Sequence, residues 1–129
     1  MKTIKHTAAV LSTLFVVLLF SACGPSGEHF DASLLPGYWQ RSSKLTDGLD
    51  CYRFDASGKG VTWDTGDDVT ESEAQPFTWT LSGSNLTIIH IGEMGAQVPK
   101  VYKLKELTST RLSFVDSYNV SYTFARYQP

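Results

Sequence analysis

The chain has 129 residues, enough for one domain. Its 11 basic and 13 acidic side chains leave a net charge of −2, and without residues 1–22, which include Lys2 and Lys5, 9 basic side chains stand against 13 acidic ones, or −4. That balance weighs against nucleic acid or anionic lipid as a binding surface.

The first segment reads as an address. Met1 to His6 carries Lys2 and Lys5, Ala8 to Phe20 is apolar apart from Ser12 and Thr13, and the small residues Ser21 and Ala22 precede Cys23. Basic, then apolar, then small is the order of a secretory signal peptide, and the run is shorter than the roughly 20 apolar residues of a spanning helix. Leu19, Phe20, Ser21, Ala22 and Cys23 resemble the lipobox of bacterial lipoproteins. That resemblance implies removal of residues 1–22 as a lipoprotein signal peptide and acylation of Cys23, and Gly24 after the cysteine implies an outer-membrane address in the cell envelope. Acyl chains contribute about 0.8 kcal/mol per buried methylene, so the membrane would be the partner of Cys23. Residues 23–33 then read as a flexible tether and 34–129 as the folded domain. For Cys51 two states stay open, a disulfide with Cys23 or a buried, inert thiol.

From Leu34 onward apolar and polar residues alternate in short runs between turn residues, as in an antiparallel sandwich or barrel. Strands are predicted at Gly37–Ser42, at Asp50–Asp55 with Tyr52 and Phe54 on one face, and at Gly60–Thr65 with Val61 and Trp63 sharing a face. Ala56 to Gly60 form the tight link between the second and third. A polar stretch with Asp64, Asp67, Asp68, Glu71 and Glu73 ends at Pro76 and reads as a loop. Phe77, Trp79 and Leu81 alternate in the fourth strand, Ser82 to Asn85 turn, and Leu86–Ile91 is the fifth. Gly92 to Pro99 is expected to be a second long loop. Lys100–Leu107, Arg111–Asp116 and Val120–Tyr127 complete a set of eight strands, and no stretch has a convincing helical period. Eight consecutive strands solve their edge problem by closure, which predicts an all-β, eight-stranded antiparallel up-and-down β-barrel. Its inward residues are bulky (Trp39, Tyr52, Phe54, Trp63, Phe77, Trp79, Tyr102, Phe114, Tyr122, Phe124), so a filled interior is expected.

Gly37, Tyr38 and Trp39 near the start, eight predicted strands, and Arg126 in the last one resemble the lipocalin-like branch of the calycin superfamily. Asp55, Gly58, Lys59 and Gly60, and the terminal Tyr122, Phe124 and Arg126, resemble its small bacterial lipoproteins. The resemblance implies that Gly37, Trp39 and Arg126 close one barrel end, with the guanidinium packed across the indole.

Chemistry finds little footing in the remaining residues. His90 alone of three histidines falls in the predicted fold, at the parity of Leu86 and Ile88. No catalytic triad, metal-ligand spacing or cofactor motif is present in the sequence, and the acidic run matches no EF-hand. The sequence therefore points to a lipid-anchored, non-catalytic binding module of the cell envelope, without cofactor or bound metal. It would contact an envelope protein or glycan through the loops at 64–76 and 92–99, with Asp67 and Asp68 as candidate contacts and Tyr38, Tyr118 and Tyr127 at the rim. Two alternatives are a carrier of a small hydrophobic ligand, which needs a void of about 300 Å³ or more lined by Trp63, Trp79 and His90, and an inhibitor of an envelope hydrolase acting through the acidic loop.

Overall fold

A computed structural model describes residues 29–129, so the expected signal peptide and Cys23 lie outside the described residues. Eight strands follow one another as β1 (Gly37–Ser42), β2 (Leu49–Phe54), β3 (Lys59–Asp64), β4 (Gln75–Ser82), β5 (Asn85–Ile91), β6 (Gln97–Leu107), β7 (Arg111–Val115) and β8 (Ser121–Tyr127). Each pairs antiparallel with the next, and β8 returns to β1, closing the barrel. Closure leaves no sheet edge along most of the wall.

The alternation in each strand sorts side chains between wall and core. Trp39, Phe54, Phe77, Leu86, Ile88, Leu104, Leu112, Phe114 and Phe124 form a continuous buried cluster. Their rings meet edge-on or tilted, with Phe54 and Phe77 centroids 5.2 Å apart and Tyr102 and Phe114 4.5 Å apart. A bulge between Leu104 and Glu106 resets the parity of β6, which is why Leu104 and Leu107, three residues apart, are both buried.

One end is sealed. A 3-10 turn at Ala32–Leu34, capped by Asp31, carries Leu35 into the core, and Phe30 and Leu34 pack against it. The folded domain thus begins inside the segment expected to be a tether. Trp39 is fully buried and its indole N–H donates to Leu35 O at 2.8 Å. Gly37 has φ +133°, and a Cβ there would lie 2.1 Å from Arg126 Nη1. The expected closure set is therefore assembled, with glycine required both for the backbone angle and for the approach of the guanidinium.

Two expectations about strand bounds and faces are corrected. Gln97 to Pro99 belong to β6 and not to a loop. The Leu104 amide points at Ser84 O in the β4–β5 turn, and alternate amides point to opposite sides. The position of Pro99, without an N–H, therefore faces away from β5, where β7 does not reach. Val61 and Trp63 do not face inward. The register sets Gly60 and Thr62 opposite Phe54 and Tyr52, and Trp63 opposite Cys51. Gly60 is in the inward row because the Phe77 ring fills the space a side chain would need: a Cβ on residue 60 would lie 2.4 Å from that ring.

Candidate functional site

At the sealed end the inward row is apolar, and toward the other end it turns polar on strand after strand. Trp39 gives way to Arg41 on β1, Phe54 to Tyr52 and Asp50 on β2, Phe77 to Gln75 on β4, Leu104 to Tyr102 and Lys100 on β6, and Phe124 to Tyr122 on β8. Large apolar rings fill the lower half of the barrel. In the upper half a cavity of about 620 Å³ opens between the loops at 43–48 and 65–74 and the residues before β8. The expectation of a filled interior is corrected accordingly: it holds for one half, and the other is a cup.

The cup wall is built around Arg41. Its guanidinium lies 2.7 Å from the Asp50 carboxylate, with only 14% and 23% of the two side chains exposed. The same group sits 4.9 Å from the centroid of Tyr122 and 5.6 Å from that of Phe124, a cation–π arrangement in partly desolvated surroundings. Arg41 Nε is buried with no hydrogen-bond partner among the described residues. Burial pushes the Asp50 acid upward, Arg41 pulls it back, and the neighbouring Asp64 adds to the rise. Burial also raises the phenols of Tyr52 and Tyr102, so both remain neutral donors.

The acidic loop does not act as one patch. Asp64 accepts from Ser43 Oγ at 2.6 Å, Thr46 Oγ1 at 2.7 Å and Gly66 N at 2.8 Å, so it joins the loop after β1 to the loop after β3. These donors hold its acid down to about 2. Glu71 folds back over the outer wall, where it pairs with Arg53 and accepts from Tyr38 Oη. Asp67 ends the 3-10 turn Thr65–Asp67, and its side chain lies outside what the structure describes. Asp68 follows it, exposed and with φ 58°. Asp68 does not line the cup, whereas Glu73 does.

The other expected contact residues separate. Trp63 lines the cup at its mouth, but Trp79 and His90 do not. Trp79 donates its indole N–H to the carbonyls of Asp55 and Lys59 at 3.1 Å each and so ties β4 to the β2–β3 hairpin near the sealed end. His90 has the inward parity expected of it, 6.0 Å from the Phe77 ring, and burial lowers its pKa. Of the rim tyrosines, Tyr118 is exposed, while Tyr38 and Tyr127 pack edge to face on the outer wall at 5.5 Å. Sequence reasoning missed Arg41, Asp50, Thr62, Gln75 and Lys100. Their signal was there to read, as polar residues at inward parity near the strand ends of one barrel end.

No group of three or more His, Cys, Asp or Glu among the described residues is placed to hold a metal ion. No described helix is long and apolar enough to cross a membrane. No curated protein and no solved structure matches the chain. A family profile described as a lipocalin-like domain matches residues 35–114. Members of that family are generally binding proteins and not enzymes. With more than half of the sequence matched, and with a closed antiparallel barrel of eight strands sealed by Trp39 and Arg126, the chain belongs to the lipocalin-like family.

Proposed function

We propose that the protein binds a small amphipathic molecule in the cup at the open end of its barrel. The observation that carries this reading is the cavity of about 620 Å³, which lies within the range of roughly 300–1,000 Å³ typical of small-molecule sites. Tyr52, Tyr102 and Tyr122 offer ring faces to an apolar body, and the Arg41–Asp50 pair and Thr62 offer polar contacts beside them. The test is titration with a fluorescent apolar probe such as N-phenyl-1-naphthylamine, with Gln75→Trp as a variant that plugs the mouth. Saturable binding to the wild type that is lost in the plugged variant, at unchanged melting temperature, is the expected result. Equal binding by both proteins sinks the reading.

The address belongs to the same proposal. Acylation of Cys23 would hold the barrel on the cell envelope, and its support is the order Lys2, Lys5, Ala8–Phe20, Ser21, Ala22, Cys23. The mass of the native protein extracted from membranes decides it: loss of residues 1–22 with added acyl mass supports the anchor, and an unacylated chain removes it. A protein or glycan partner, or a hydrolase held by the acidic loop, has less support, because Asp64 and Glu71 are taken up by contacts within the domain.

A further inference from the structure

The cup is not walled on every side. β6 pairs with β5 from Gln97 onward, but β7 joins it only at Lys103. Residues 97–102 therefore have a neighbouring strand on one flank alone. Across the free flank stands the β7–β8 turn, in which Asp116 accepts from the amides of Tyr118 and Val120 at 2.9 Å and from Tyr122 Oη at 3.0 Å. A second cavity of about 400 Å³ lies between them, bounded by Pro99 and Val101 on the strand and by Ser117 and Tyr118 on the turn. Lys100, Tyr102 and Tyr122 line both this slot and the cup.

Three features say what fits there. The slot's lips are apolar and exposed, Val101 at 56% and Tyr118 at 86%, an arrangement that favours an apolar occupant. Pro99 leaves the free edge without an N–H at its centre, which disfavours the addition of a peptide strand. The charges that are already engaged are Arg41 with Asp50, Asp64 with its three donors, and Asp116 with its own three. Lys100, at the junction of the two cavities, has no salt-bridge partner among the described residues, and nor does Lys44 on the cup. The opposing charges are Glu73 on the cup lining, without a salt-bridge partner among the described residues, and Asp116 on the slot lining, whose acid is lowered first by the Val120 amide and in smaller part by the charge of Lys100.

Resting on the reading of the cup as a ligand site, we propose that cup and slot form one elongated site for an acidic amphiphile. Its anionic group pairs with Lys100 at the junction, and its apolar body lies across Tyr102 and Tyr122 and leaves between Val101 and Tyr118. Tyrosine faces supply the apolar contact, and the exposed lysine supplies the discrimination between acid and neutral molecules.

Two probes that differ by a single group test it: 8-anilino-1-naphthalenesulfonate, and N-phenyl-1-naphthylamine, its counterpart without the sulfonate. The purified protein is expected to prefer the sulfonate by about fivefold, the scale of one partly exposed ion pair. Lys100→Gln abolishes that preference while retaining the neutral probe, and Glu73→Gln leaves it intact or strengthens it. Tyr118→Ala weakens both probes without lowering the melting temperature, since the residue is exposed. An unchanged preference in Lys100→Gln, or its loss in Lys44→Gln instead, overturns the assignment but leaves the cup reading standing. Failure of both probes to bind removes the cup reading and this one with it.

Discussion

The guanidinium of Arg126 lies 4.2 Å from the centre of the Trp39 indole and donates to three backbone carbonyls, those of Leu34, Pro36 and Ser109. Trp39 and Arg126 are also register partners across the β1–β8 seam. One side chain therefore ties the chain's entry segment, the β6–β7 turn and the last strand at the point where the barrel closes. Arg126→Gln keeps some polarity but loses the planar fork and the cation–π contact, and should cost about 2–3 kcal/mol. Urea denaturation of wild type and variant measures this, and a loss below about 0.5 kcal/mol would show that closure does not depend on it.

The Arg41–Asp50 pair makes a second prediction. Asp50→Asn strands a guanidinium beneath the tyrosines and should destabilise the protein by about 1–3 kcal/mol, less than a fully buried pair because part of each side chain reaches water. Adding Arg41→Met should recover part of the loss, since no unpaired charge is then left. A double variant less stable than Asp50→Asn contradicts this account of the pair.

Asp64 should give the protein an acid-dependent term. Its acid falls from about 4 in an unfolded chain to about 2 when folded, because Ser43, Thr46 and the Gly66 amide donate to the carboxylate. A folded value below the unfolded one means a stabilisation that is complete above pH ~4 and disappears as pH falls through about 2. Asp64→Asn should be less stable than wild type at neutral pH, and the two melting temperatures should converge across that window. A gap independent of pH would assign the loss to shape and not to charge.

Cys51 should be inert. It is 2% exposed, on the outer face between Gln40 and Trp63, and burial pushes its thiol pKa upward. A disulfide reagent such as 5,5′-dithiobis(2-nitrobenzoate) should label the folded protein on the order of a hundredfold more slowly than the urea-unfolded one. Rapid labelling of the folded form would mean that the wall opens locally around Trp63.

Much of this molecule was legible from residue order, because a strand shows its two faces as a period of two and turns show as glycine, asparagine and serine between them. All eight strands, their antiparallel succession, and the pairing of Gly37 and Trp39 with Arg126 followed from that pattern and from the lipocalin-like resemblance. Trp63 shows where the pattern stops. Phase in a strand is set by which residues pair across it, and with Gly60 opposite Phe54 and Thr62 opposite Tyr52, Val61 and Trp63 take the face opposite to that expected.

The cup and slot were decided by tertiary structure alone. Large inward residues can fill a barrel only at the levels they occupy, and theirs cluster near the end sealed by Trp39, leaving Arg41, Asp50, Thr62 and Lys100 to line the other. The slot arises because β6 has 11 residues and β7 has 5, so one wall outlasts its neighbour. Composition and alternation determine that strands form and which way most side chains point; how far each strand keeps its neighbour, and hence where space remains, depends on contacts between residues distant in the chain.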